Sequence, residues 1–289
     1  MQIRFKHVTF SYHAATNEQA ALKDVDLTID TARVLGICGA TGSGKSTFIR
    51  HLNGILKPTT GQVYVDGENL HQSKAALRHA RQRIGMTFQF PERQLFGRTV
   101  WEELAYTLEQ HRIAAEKIEQ RILTTARMLR FDIERLRDRS PFSLSRGEQR
   151  KLGIAVMLTL QPELVVLDEP TAGMDRRNAI YLLDLLHDLH QHQHMSLILV
   201  SHELDLFMRY IEDLLVLRQG QIAFYGPARQ AIRSAELLEQ SGLLLPPLQR
   251  TFALLQKRVP KLCPDVITVD DAVAEIAKIH CDKTFHASI

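Results

Sequence analysis

Residues 36 to 54 read GICGATGSGKSTFIRHLNG, in which the order Gly39, four residues, Gly44, Lys45, Ser46 matches the phosphate-cradling pattern G-x-x-x-x-G-K-[ST]. Bare backbone through Gly39, Ala40, Thr41, Gly42, Ser43 and Gly44 lets main-chain N–H groups converge on phosphate oxygens. A following helix adds the partial positive charge of its N-terminus, and Lys45 adds a full one. Ser46 brings a hydroxyl for Mg2+, and Thr47 extends the same nucleotide-binding stretch into the helix. Far downstream, ELVVLDEP ends an apolar run in two adjacent carboxylates. In a phosphate-loop protein the first, Asp168, holds Mg2+ through its water shell. The second, Glu169, is left to accept a proton from the water that attacks a γ-phosphate, which is general-base work. Each half alone has a plain alternative, a Gly-rich turn or a solvated acidic turn; together they point to phosphoryl transfer from a nucleoside triphosphate.

These residues require strands that end near one another. The apolar run RVLGIC precedes the loop and the helical stretch STFIRHLNG follows it. IRFKHVTF, VDLTID and GQVYVDG read as further strands, punctuated by Gly, Asp and Thr. PELVVLDEP and MSLILVSHE are short apolar runs of the kind buried in parallel sheets, and RRNAIYLLDLLHDLHQ between them has helical spacing, which makes a β-α-β unit. From about residue 98 to 160 the pattern is mostly helical and interrupts a mixed sheet. Gly226 and Pro227 end the second set of strands, so residues 1–226 are expected as one nucleotide-binding domain and 227–289 as a helical extension. Its last helix is expected to start at TVDDAVAEIAKIH, where Thr268 and Asp271 have capping-box spacing.

The bulk properties narrow the setting. No stretch approaches the roughly 18 apolar residues that a membrane span requires, and the N-terminus alternates like a strand instead of carrying a signal segment. Cys38, Cys263 and Cys281 are too few and too scattered for a disulfide framework, which favours a reducing compartment. A net charge of +3 without a basic tract argues only weakly for nucleic acid, which is not expected as a partner.

With six motifs in order, the stretch from Tyr12 to His202 resembles the ATP-binding cassette ATPases. The resemblance implies an α/β fold: a mixed sheet core with an N-terminal antiparallel β lobe, a helical subdomain and, here, a C-terminal helical extension. It also implies a cofactor set of ATP and Mg2+. PFSLSRGEQRKLGIA corresponds to the signature segment, whose Ser145 and Gly147 bind the nucleotide held by a second subunit. Gln89 corresponds to the glutamine loop that senses the γ-phosphate and Mg2+; Asp175 in AGMD lies in the loop that crosses the dimer. His202 is the switch histidine, catalytic beside Glu169 and Gln89, and Tyr12 stacks on adenine. The signature here reads LSRGE where the family has L-S-G-G-Q, so Arg146 and Glu148 depart from the pattern while Gly147 keeps it.

FQFPERQLF followed by TVWEELAYTL, HLNGILKPTTGQV and RSPFSLS are similar to the ATPases of energy-coupling factor transporters. That resemblance implies a pair of ATPase subunits, identical or different, at the cytoplasmic face of the membrane. They sit beneath a transmembrane coupling protein and a substrate-binding membrane protein and drive uptake of a micronutrient, a vitamin or a transition-metal ion. It further implies that the extension helps to join the subunits, and that the region of Met86 and the phenylalanines around Gln89 forms a groove for a helix of the membrane partner. A cassette acting on DNA or the ribosome would bring a long coiled-coil insertion or two cassettes in one chain, and a small-molecule kinase would lack the signature and the switch histidine. His187, His190, His192 and His194 could suggest a metal site, but a polar helix end facing solvent is the expected role. Cys38 is expected as a buried strand residue.

Overall fold

The apolar runs become strands of two sheets in a computed structural model of the chain, which describes residues 1–12, 20–193, 195–263 and 266–286. The first sheet is antiparallel and runs β2 (Leu22–Asp30), β1 (Gln2–Phe10), β4 (Thr60–Val65), β5 (Glu68–Asn69). The second is a six-stranded sheet in the order β10 (Gln221–Pro227), β9 (Asp213–Arg218), β3 (Leu35–Cys38), β8 (Ser196–Val200), β7 (Leu164–Asp168), β6 (Ile84–Thr87). All its neighbours pair in parallel except β10, which returns antiparallel along β9. The strand β6 was not anticipated from the sequence: four residues beside the β7 edge, one of them glycine, are too few to show a period.

Parallel strands covered on both faces should be apolar throughout, and every residue of β3 and β7 is buried. The strand period sends alternate side chains to two cores. Ile37, Leu164, Val166, Ile198, Val200, Leu215 and Leu217 face the antiparallel sheet, whereas Val165, Leu167, Leu197, Leu199, Leu214 and Val216 face a layer of helices. Between the sheets lies α1 (Lys45–Leu52), its Phe48 ring stacked on Phe5 at 4.4 Å.

After α2 (Lys74–Arg83), no strand occurs between β6 and β7 among the described residues. That interval holds α3 (Val100–Gln110), α4 (Ala115–Met128), α5 (Ile133–Leu136) and α6 (Arg146–Leu158). Then α7 (Arg176–Gln193) links β7 to β8, and α8 (Leu204–Phe207) follows β8. In the tail stand α9 (Ala228–Ala231), α10 (Ala235–Gln240), α11 (Pro247–Arg258) and α12 (Val269–His286). Thr268 caps α12 as its spacing suggested: its hydroxyl accepts from the Asp271 N–H and the Asp271 carboxylate from the Thr268 N–H, both at 3.0 Å.

Apolar packing does not change at Gly226. Ala228, Ala231, Ile232, Leu238 and Leu243 belong to the core that includes α3 to α7, whereas Phe252, Leu262, Val266 and Ala272 form a separate cluster.

The histidine run is less solvated than expected. His190 bonds through Nδ1 to the Met195 carbonyl at 2.8 Å, and the half-buried His187 ring lies against Tyr210. Only His192 is exposed, and His194 lies outside the described residues. The chain folds back into β8 directly after α7, and this tight return covers the helix end. Among the described residues no cluster of three or more His, Cys, Asp or Glu could hold a metal ion. Among the same residues, no helix is long and apolar enough to cross a membrane.

Candidate functional site

Register places the chemistry. Ile37 on β3 and Asp168 on β7 both stand opposite Val200 on β8, so the loops that leave these three strands start at one level on the carboxyl edge of the sheet. In open α/β sheets this edge is where ligands bind. Gly39 opens the phosphate loop at φ 150, where an added Cβ would lie 2.2 Å from the Leu217 carbonyl oxygen, so only glycine fits. The Lys45 ammonium curls back to donate to the Gly39 and Ala40 carbonyls at 2.7 and 3.0 Å. Burial pulls its pKa below the ordinary value, opposed by the nearby carboxylates of Glu169 and Asp168. Cys38 is buried beneath the loop, and burial pushes its thiol up to about 12, so it packs as a small apolar residue.

Ser46 donates from its hydroxyl to Asp168 Oδ2 at 3.2 Å. Burial raises the Asp168 pKa, the Ser46 hydrogen bond opposing and the Glu169 charge adding. A hydroxyl and a carboxylate this close form the hard oxygen pair that suits Mg2+, an ion that keeps most of its own waters. Glu169 has the left-handed φ of 51°, a conformation that costs energy for a residue with a side chain and so marks a constrained position. Its N–H bonds to the Val200 carbonyl, and Oε1 lies 2.6 Å from Nδ1 of His202, whose ring is more than half exposed. A base held by a second side chain, over a lysine and a hard oxygen pair, is the arrangement for activating water against a phosphate.

Tyr12 stands at the rim, its hydroxyl 3.1 Å from Thr47 Oγ1 and its ring edge-on to Phe10. One cavity of about 410 Å3 joins Tyr12, Thr41, Gly42, Gly44, Lys45, Ser46, Thr47, Gln89, Asp168, Glu169 and His202. Ala40 and Ser43 belong to the loop beneath, and the Ser43 hydroxyl is buried without a protein partner.

The remaining sequence candidates are elsewhere. Gly147 and Asp175 line a second cavity of about 450 Å3 with Phe90, Arg146 and Arg150. Nothing lies within 4 Å of a Cβ added at Gly147, so this face of α6 is open to close approach. Ser145 caps α6, and Glu148 completes a capping box: its carboxylate accepts from the Ser145 N–H at 3.0 Å and from the Ser145 hydroxyl at 2.7 Å. Those bonds, with Arg135 at 2.9 Å, hold the Glu148 pKa below the ordinary range. Asp175 is likewise lowered by the N–H and side-chain amide of Asn178 as it starts α7.

Sequence reading missed the side chain that ties the two cavities together. Arg150, almost fully buried, donates to both carboxylate oxygens of Glu92 at 3.1 and 3.2 Å and to the Pro170 carbonyl at 2.7 Å. It joins α6 to the turn after Gln89 and to the residue after Glu169. The available signal was an arginine in register with Ile154, Met157 and Leu158 on the apolar stripe of α6, where a charge needs a partner. Of the aromatic residues around Gln89, Phe90 is engaged with Arg93 and Arg150, whereas Phe96 is exposed with its ring edge-on to exposed Tyr106 at 4.8 Å.

Comparison with known proteins gives the family and the fold. The ABC transporter family profile matches residues 22–172. An energy-coupling factor transporter ATP-binding protein EcfA2 from Acetivibrio thermocellus is 37% identical over 279 residues, covering 96% of this chain and 98% of its own. The protein of the same name from Symbiobacterium thermophilum is 40% identical over 277 residues, covering 96% of each chain. Among solved structures, cbiO1 from Clostridium perfringens, part of the ABC transporter complex cbiONQ, superposes with a TM-score of 0.74 at 25% identity, covering 89% of this chain and 96% of that one. The dimeric ATP-binding cassette MJ0796 bound to ADP and Pi gives 0.68 at 27% identity, covering 78% and 98%.

Proposed function

This chain belongs to the ABC transporter family, and within it to the energy-coupling factor ATP-binding proteins, and we propose that it hydrolyses ATP with Glu169 as general base and His202 as its partner. It is an ATPase subunit that powers an importer. The observation that carries the site assignment is the 2.6 Å contact of Glu169 with His202 in one cavity with Lys45, Ser46 and Asp168. Lys45 and the loop N–H groups other than those of Ala40 and Ser43 hold the phosphates, Tyr12 stacks on the adenine, and Gln89 reports the γ-phosphate. Glu169 takes the proton from water, and the exposed imidazole of His202 orients that carboxylate and follows the charge at the γ-phosphate. Ser46 and Asp168, with Gln89 beside them, would hold Mg2+, which when bound neutralises phosphate charge and polarises the bond to be broken.

Catalysis is completed by a second ATPase subunit, a copy of this chain or a different one. The open Gly147 face supplies N–H groups to the nucleotide across the interface, Ser145 caps the same helix end, and Asp175 crosses beside it, which accounts for Gly147 and Asp175 standing in a separate cavity. Phe96 and Tyr106 form the surface for a transmembrane coupling protein, and a substrate-binding membrane protein selects the solute, a vitamin or a transition-metal ion. The subunit therefore sits peripherally on the cytoplasmic face of the membrane, without a nucleic-acid partner. Purification from membranes, with mass spectrometry of attached proteins, tests this assembly. A coupling protein and a second ATPase chain or copy should accompany the unmodified chain, and the coupling protein should be lost with Phe96→Asp; recovery with ribosomes or DNA instead would contradict it.

A further inference from the structure

The phosphate loop is held from outside by the tail. The Ala40 N–H donates to the carbonyl of Ser241 at 3.0 Å, 201 positions further along the chain, although a local partner is a familiar solution: the Ser43 N–H uses the Ala40 carbonyl at 3.1 Å. An amide partly withdrawn from water is stabilised by an acceptor, and here the tail provides it for half-buried Ala40. Ser241 is itself rigid. It is 2% exposed at the end of α10, its N–H bonds to the Leu237 and Leu238 carbonyls, and its hydroxyl donates to the Leu237 carbonyl at 2.7 Å. On one side, Gln240 accepts from Arg218 of β9 at 2.8 Å; on the other, Leu243 is buried in the main core.

Gly242 between these anchors has φ 71°, and a Cβ there would lie 2.8 Å from the Ala40 Cβ, closer than two carbons tolerate. The tail thus touches the first residue inside the loop with a hydrogen bond and a contact that allows only glycine. Beyond it a cavity of about 970 Å3 separates Pro246 and Arg250 from His202, with Ala40 and Thr41 at its floor.

We propose that Ser241 and Gly242 are positioning residues for the nucleotide site, fixing the phosphate loop through Ala40, so that tail position and ATP affinity are coupled. Neither residue lines the nucleotide cavity; both act through Ala40. Coupling of this kind is reciprocal, so a nucleotide that settles the loop also tightens the tail.

The inference rests on the nucleotide-site reading above, and titrating the full chain with a hydrolysis-resistant ATP analogue separates the two. Failure of the unmodified chain to bind the analogue overturns that reading itself. With binding established, Gly242→Ala should weaken affinity about fivefold, as expected for losing one well-placed hydrogen bond. Turnover at saturating ATP should change by less than about twofold, because only binding is disturbed. Ala40→Gly removes the methyl that the new Cβ meets, so the double variant should regain the affinity of Ala40→Gly alone. Additive losses would mean that left-handed strain at residue 242 is the whole effect, and unchanged affinity in Gly242→Ala would mean that the contact does not govern the loop; either overturns the proposal. Should Gly242→Ala fail to fold, hydrogen exchange on the unmodified chain decides: amides of residues 237 to 243 should slow when the analogue binds, and identical exchange with and without it refutes the coupling.

Discussion

Glu169 and His202 meet because β7 and β8 lie side by side in register and each places a polar residue just beyond its last buried one. Helix spacing, by contrast, leaves His51 in an apolar place: it lies one turn after Thr47 on α1, fully buried, with its ring edge-on to Phe10. Its Nδ1 bonds to the Thr47 carbonyl at 2.8 Å, and its Nε2 is buried without a partner. Burial holds its pKa down at about 4, the Thr47 carbonyl opposing and His71 assisting. A histidine with a lowered folded pKa contributes its full stability above the unfolded value near 6.5 and loses it as pH falls from there toward 4. Between pH 7.5 and 5 this amounts to about 2 kcal/mol. Urea unfolding of the natural chain and of His51→Leu at both values should show that much less pH dependence in the variant, and parallel pH profiles would refute the assignment. The phosphate loop, Asp168 and Glu169 were legible because their chemistry forces residue types at fixed spacing; His51 was not, since a histidine on a helix carries no mark of its burial.

Among the elements, α6 does the most to connect the parts of the site. Its Gly153 packs so tightly on Pro91 that an added Cβ would meet the Pro91 Cβ at 2.9 Å, and Arg150 one turn earlier clamps Glu92. Arg150→Met leaves Glu92 and the Pro170 carbonyl without their partner, which should cost about 3 kcal/mol of stability. Adding Glu92→Gln should recover part of it, because the unpaired charge is the costly remainder. Urea midpoints for the single and double variants decide this, and a single variant as stable as the natural chain would contradict the clamp. Elements were legible where a period runs over many residues, as in α4 and α7, or where a cap announces a start, as at Thr268. Four-residue β6 showed no period. The link from Arg150 to Glu92 joins residues 58 apart, and no local pattern announces such a pair.

At the scale of the whole molecule, the tail is two things in sequence. Up to Leu243 it is part of the nucleotide-binding core, and from Pro247 it has a cluster of its own, with Val269, Val273 and Ile276 exposed along one side of α12. The pair Gly226 and Pro227 marks the end of a strand, which sequence shows, whereas the break in packing falls later, which only contacts show. Ending the chain at residue 226 removes Leu238 and Leu243 from the core at about 2 kcal/mol each. A chain ending at residue 245 should therefore melt near the full-length protein yet associate less well in sedimentation, whereas one ending at 226 should be strongly destabilised; equal melting of the two would contradict the packing account. The central claim is that Glu169 takes the proton in ATP hydrolysis at a site two subunits share. Glu169→Gln keeps the shape and removes the basicity, so the most direct measurement is steady-state ATP hydrolysis by the natural protein and this variant, with ATP binding measured alongside. The account predicts intact binding, an accumulated ATP-bound dimer, and turnover reduced on the order of a hundredfold or more; turnover at the natural rate would contradict it.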